Sequence, residues 1–228
     1  MSKFYSEESK FYIAIDCIIF GFDKEKLKLL LIKRNFEPQK GKWSLMGGFL
    51  KPGESLDQAA ERILEKLTGL REIYLEQLHS YGEVDRDSAG RVVSVAYYAL
   101  IDVQKYNEIE NSRYTAHWFD IDKKPALIFD HDQMTHDALE RLKEKSSAHP
   151  IGFELLPDKF TLPQLQKLYE AIHQTPFDKR NFRKKILSFN ILRRLDEKDK
   201  EGSRKGAFLY EIDQERYAKL IRDGHFQV

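Results

Sequence analysis

The chain has 228 residues, a formal net charge of +1 and a single cysteine. Lone Cys17 excludes an internal disulfide framework and fits a reducing compartment. No apolar run is long enough for a membrane span or a signal core, so a soluble cytoplasmic protein with no membrane partner is expected.

The elements follow in chain order. The apolar residues 12 to 20 and the run Leu-Lys-Leu-Leu-Leu-Ile-Lys-Arg at 27 to 34 predict two strands around a Gly/Asp/Lys turn, with Cys17 a buried strand thiol. The stretch from Gly48 to Leu70 carries a helix. Ser55 with Gln58 reads as a capping box, Leu56, Ala60, Ile63 and Leu67 form an apolar stripe, and Gly69 suits a C-cap. Residues 91 to 102, rich in Val and Tyr, predict a longer strand, and a second helix is expected near 131 to 145. His131 between Asp130 and Asp132 is read as a helix start rather than a metal cluster.

The spacing of Gly48, Glu54, Arg62, Gly69 and Leu70 resembles the Nudix box, the loop-helix-loop with which Nudix hydrolases hold Mg²⁺ against a pyrophosphate. Lys42-Trp43-Ser44-Leu45-Met46-Gly47-Gly48-Phe49 before it is similar to the Trp-x-Leu-Pro-Gly-Gly-Phe approach of that family, with Met46 in place of proline. The segment from Asp85 to Tyr98 resembles the loop and strand of ADP-ribose-type Nudix domains. One element of the pattern is missing. The family places glutamates where this chain has Ile63, Lys66 and Leu67. Carboxylates at i, i+3 and i+4 share one helix face and converge on a hard cation, whereas Glu61 and Glu65 lie about 100° away from those positions. The resemblance therefore implies a domain with no catalytic residues, no metal and no cofactor. Glu54 is left as a structural cap or as an acceptor for an effector.

Ser146 to Gly152 is small, polar and broken by Pro150, which places a domain boundary at 147/148. Charge is uneven across it: residues 158–228 carry 16 Lys+Arg and 11 Asp+Glu, net +5, against −4 for residues 1–157. Such asymmetry suits a polyanionic partner. Thr161-Leu-Pro-Gln164 is a capping box opening one helix, and Thr175-Pro-Phe-Asp178 repeats the signal for a second after the turn at His173-Gln174. Strands at 191 to 195 and 207 to 212 flank a charged loop from Glu197 to Gly206, a wing. Candidate DNA contacts are Thr161, Lys179, Arg180, Asn181, Arg183, Lys184, Lys185, Arg193, Arg204 and Lys205.

The whole arrangement resembles the Nudix-related transcriptional regulators of bacteria, in which a Nudix-like domain senses a metabolite and a C-terminal winged helix binds an operator. The fold class this implies is an α/β Nudix-like sandwich over residues 1–147, followed by a winged helix-turn-helix over 148–228. The resemblance also implies a homodimer on palindromic double-stranded DNA and a small-molecule effector. Without carboxylates to seat a metal, the effector is expected to be a neutral monosaccharide, a pentose such as arabinose, that lowers operator affinity. Trp43, Phe49, Tyr81 and Tyr98 would stack on it, and Lys51, Glu54, Arg86 and Asp87 would supply polar contacts. An ammonium at Lys66 also suits a sugar phosphate. The alternatives are an ADP-ribose-responsive regulator of NAD metabolism and an active Nudix pyrophosphatase with an accessory tail.

Overall fold

The computed structural model describes residues 7–71, 73–103, 116–148, 150–200 and 206–223. Its central strand is β1 (Tyr12–Phe22), whose alternate residues face opposite sides of the sheet. Ile15, Cys17 and Ile19 enter one core cluster and Ile18, Phe20 and Phe22 the other. Along one edge β1 pairs in parallel with β6 (Val92–Asp102) over its full length, and β5 (Glu76–Tyr81) adds to β6 antiparallel. The other edge is shared. Residues 14–17 of β1 meet β4 (Met46–Phe49), and residues 19–22 meet β2 (Leu27–Lys33). Strands β3 (Trp43–Ser44) and β7 (Ala116–Asp120) complete the sheet against β2. The edge of β1 thus opens between Cys17 and Ile19, where one partner leaves and the other arrives.

Helix α1 (Leu56–Thr68) covers the first face through Ala59, Ala60, Ile63, Leu64 and Leu67. Both halves of the Ser55/Gln58 capping box are formed, and Gly69 ends the helix in the left-handed region at φ 77°. Helix α2 (His131–Ala148) covers the second face with Met134, Ala138 and Leu142. It runs past the expected end at 145, so Ser146 and Ser147 are its last turn rather than a linker.

The C-terminal part contains β8 (Phe160–Thr161), α3 (Leu162–His173), α4 (Lys179–Ser188), β9 (Leu192–Asp199), β10 (Ala207–Ile212) and α5 (Gln214–Asp223), with β8, β10 and β9 in one sheet. The second helix starts three residues later than the Thr175 signal. Phe177 N donates to Glu170 Oε1 at 2.9 Å, keeping 175–177 in the turn, and Asp178 caps α4 through Asn181 N at 2.8 Å. Strand β9 extends beyond the expected 195 to Asp199 by pairing with Ala207. The two units share a continuous core. Ile18, Phe20, Met134 and Leu142 belong to the same buried cluster as Phe153, Phe160, Leu165, Leu168 and Ile172. No described helix is long and apolar enough to cross a membrane.

Candidate functional site

The Nudix-type loop is closed by an ion pair rather than left open for a cation. Arg62 donates to Glu54 through Nε at 2.7 Å and Nη2 at 2.6 Å, and Lys51 N adds a bond of 2.7 Å. The Arg62 guanidinium, bonded to the Glu54 carboxyl, holds its pKa down at about 2. Arg62 Nη2 also reaches Phe49 O at 3.1 Å, tying the loop to β4. Ile63 and Leu67 are 2% and 5% exposed in the core beneath α1, and Lys66 faces solvent. A Cβ on Gly48 would stand 3.2 Å from Ile63, so strand and helix pack where the family has a metal seat. The residues present do not fit a divalent ion. Among the described residues no group of three or more His, Cys, Asp or Glu is placed to hold one.

Polar chemistry gathers on the opposite face of the sheet, beside the opening in the β1 edge. Asp16 is 6% exposed, and Ser94 Oγ donates to its Oδ2 at 2.6 Å. Arg86 stands 3.8 Å from Asp16 and makes a two-pronged pair with Asp130, Nε at 2.8 Å and Nη2 at 2.7 Å. His131 Nε2 lies 3.6 Å from Asp16 Oδ1, while its Nδ1 accepts from Leu45 N at 3.2 Å. That bond fixes the tautomer with the proton on Nε2, toward Asp16. Burial pushes the His131 pKa below its ordinary value, so the ring is neutral at pH 7. Gly47 is required here, because a Cβ would collide with Asp16 Oδ1. The result is a preformed buried network with both donors and acceptors, as a hydroxyl-bearing ligand needs.

The expected effector residues divide. Arg86 is in this network, and Asp87 lies beside it with Oδ1 accepting from Ala89 N at 2.8 Å. Phe49 is exposed and its ring lies 5.5 Å from that of Tyr12; Lys51 is exposed as well. Tyr81 has its hydroxyl on Asp137 at 2.8 Å. Three are corrections. Tyr98 is 4% exposed within the core, and Trp43 packs edge-on against Phe119 at 4.8 Å and His117 at 5.4 Å, so both rings are spent on packing. Glu54 is consumed by Arg62. Asp16, Asp130 and His131 complete the network without being among the expected residues. The available signal was Asp16 itself, a charge interrupting an otherwise apolar strand.

On α4, Phe182 and Ile186 turn inward, with Phe182 against Tyr169 at 5.4 Å and Phe177 at 6.0 Å. Lys179, Arg180, Asn181, Arg183 and Lys184 are exposed, and none of the four cations has a carboxylate within 4.0 Å among the described residues. Lys185 points elsewhere, donating to Ser147 O at 3.3 Å at the end of α2. Thr161 is 3% exposed and caps α3, which removes it from the expected contacts. Arg193 on β9 is paired with Glu211. Arg204 and Lys205 lie outside the described residues, while Arg194 and Lys198 stack on Phe208 at 4.6 Å each and brace the strands of the wing.

A Nudix-like sandwich that carries a winged helix with unpaired cations along its second helix defines a class of DNA-binding regulator. Residues 10–138 match the NUDIX domain family, and residues 152–212 match the NrtR DNA-binding winged helix domain. The chain belongs to the NrtR-type family of Nudix-related transcriptional repressors. It is 34% identical over 197 residues to the ADPR responsive transcriptional repressor NtrR of Acinetobacter baylyi, covering 84% of this chain and 78% of that one. It superposes on Shewanella oneidensis NrtR complexed with a 27mer DNA at TM-score 0.80, with 31% identity over 90% of this chain and 95% of the other. The NUDIX domain of the same Shewanella protein, complexed with ADP ribose, matches 62% of this chain and 99% of its own at TM-score 0.53 and 31% identity. An ADP-ribose pyrophosphatase of Methanocaldococcus jannaschii is 34% identical over 125 residues, 55% of this chain and 71% of that one. The expectation of a pentose effector finds no support among these relatives, whose names point to ADP-ribose instead.

Proposed function

We propose that this chain is a dimeric repressor that binds operator DNA through α4 and the β9–β10 wing and is released when ADP-ribose enters the Nudix-like domain. The domain binds without hydrolysing. The observation that carries this is the replacement of the metal carboxylates by Ile63, Lys66 and Leu67, with the remaining Glu54 held by Arg62. A pyrophosphatase of this fold polarises its substrate with a metal, and without a seat for it the Lewis acid is lost.

Coupling is assigned to α2. Its first residue, His131, faces Asp16 in the buried network, and its last turn touches both helices of the helix-turn-helix. Ser146 Oγ lies 2.8 Å from His173 Nε2 at the end of α3, and Ser147 O receives Lys185 of α4. Eighteen residues of helix span about 27 Å as one stiff element. A ligand that repositions its start moves the recognition helix, provided it binds the two arrangements unequally.

The test is release of a labelled operator, measured by anisotropy with EDTA present. ADP-ribose is expected to dissociate the complex, and arabinose and other pentoses to leave it intact. Release by a pentose, or Mg²⁺-dependent turnover of ADP-ribose, would overturn the proposal.

A further inference from the structure

Arg34 follows β2 and stands on the wall beside the buried network. Its guanidinium carbon lies 4.2 Å from the centroid of Phe36 and 5.9 Å from that of Phe129, and Phe129 is in turn 5.8 Å from His131. Nε is fixed by Pro38 O at 2.9 Å. The backbone around it is closed by Arg34 N to Lys42 O at 3.0 Å and Gly41 N to Arg34 O at 2.8 Å. The two terminal nitrogens, by contrast, have no acceptor among the described residues.

The nearby carboxylates do not claim them. Asp16 is engaged by Ser94, His131 and Arg86, Asp87 by Ala89 N, and Glu37 Oε2 by Lys40 N at 3.4 Å. Partial burial lowers the Arg34 pKa, with the fields of Asp87, Asp16 and Glu37 opposing the shift, and an arginine stays charged throughout. What remains is a planar cation with one face on Phe36, its inner nitrogen pinned and its outer edge free. That is the geometry for taking two phosphate oxygens at once. Phe36, 46% exposed, also offers an aromatic face to a flat ring next to those oxygens.

We propose that Arg34 is the phosphate-binding group of the effector site, a fixed guanidinium that neutralises the pyrophosphate of a nucleoside diphosphate sugar in place of a metal. This rests on the ADP-ribose reading above and adds the residue that makes metal-free binding feasible. The partly exposed carboxylate of Asp87 then faces the ribose hydroxyls, which donate, and Arg34 faces the phosphates, which accept.

The test uses the full chain in EDTA, titrated calorimetrically with ADP-ribose, ADP and inorganic pyrophosphate. Arg34→Lys keeps the charge without the fork, Arg34→Met removes both, and Phe36→Ala removes the support. Operator affinity without effector reports folding and should be the same in all three. Arg34→Met should weaken ADP-ribose and ADP by about tenfold or more, and Arg34→Lys should not restore wild-type affinity. Wild-type affinity for ADP-ribose in Arg34→Met overturns this inference while leaving the repressor reading in place. No binding of any phosphorylated probe by the wild-type protein overturns both. Should Arg34→Met lose the operator as well, the other two variants decide: undiminished affinity in both refutes the role of Arg34.

Discussion

Salt dependence of operator binding can be worked out from α4. Its exposed face presents Lys179, Arg180, Arg183 and Lys184 without carboxylate partners among the described residues, so the proposed dimer would offer eight cations to the phosphate backbone from this helix alone. Each neutralised phosphate contributes about −0.9 to the slope of log K against log salt, giving a slope of about −7 if all engage. Affinity should then fall about 10⁴-fold between 50 and 200 mM salt. Arg183→Ala removes two of the eight and should bring the slope to about −5, with an added loss of about 1 to 3 kcal/mol if the side chain reads a base edge. Lys185→Ala should leave the slope almost unchanged, because Lys185 Nζ is on Ser147 O. The assay is fluorescence anisotropy of a palindromic duplex across a KCl series. A wild-type slope shallower than about −3, or an equal loss from Arg183→Ala and Lys185→Ala, would refute this assignment of the helix faces.

Other outcomes follow from the same geometry. Lys185→Met should keep ADP-ribose affinity in the absence of DNA but shrink the coupling between ligand and operator, ordinarily about 1 to 3 kcal/mol, which a double titration measures. Glu54 has its pKa lowered from 4.5 to about 2, so its ion pair with Arg62 stabilises the fold above pH 4.5 and that contribution is lost as pH falls from 4.5 toward 2. Glu54→Gln should flatten acid unfolding in that window; an unchanged acid profile would exclude the pair as a determinant of stability. Leu168→Ala, at a fully buried position of α3, should cost about 2 to 5 kcal/mol in urea unfolding. Since the core is continuous, sheet and winged helix should lose structure in one transition; two separated transitions would contradict the shared cluster.

Much of the fold was legible because its signals are local. The box helix announces itself within Ser55 to Gly69, and its capping box, stripe and C-cap all form as read. The Thr161 signal opens α3 for the same reason. The Thr175 signal misled because the competing bonds come from Glu170 and Gln166, one helical turn or more upstream. Beyond the charge of Asp16 and the expected Arg86, the buried network was out of reach of local reading. Ser94 meets Asp16 across 78 positions, Arg86 meets Asp130 across 44, and Leu45 meets His131 across 86. Only the folded sheet brings them together. Two of the aromatic rings assigned to an effector, Trp43 and Tyr98, drop out for a related reason: composition shows that a ring is present, and only the packing shows whether its face is open, as with Tyr98 inside and Phe49 outside.

Helix α2 has a further consequence for how such a molecule can be altered. Its two ends carry different tasks, and each residue of an α-helix turns the next by about 100°. Inserting a single residue near its middle would leave both termini intact while swinging Ser146 and Ser147 away from His173 and Lys185. A seven-residue insertion would return the same angular phase within about 20° yet displace the end by about 10 Å. The sensing half is therefore not a cassette that can be exchanged at any convenient splice. On the proposed coupling, the number of residues between His131 and Ser147 is itself part of the signal, in the way that tooth count is part of a gear.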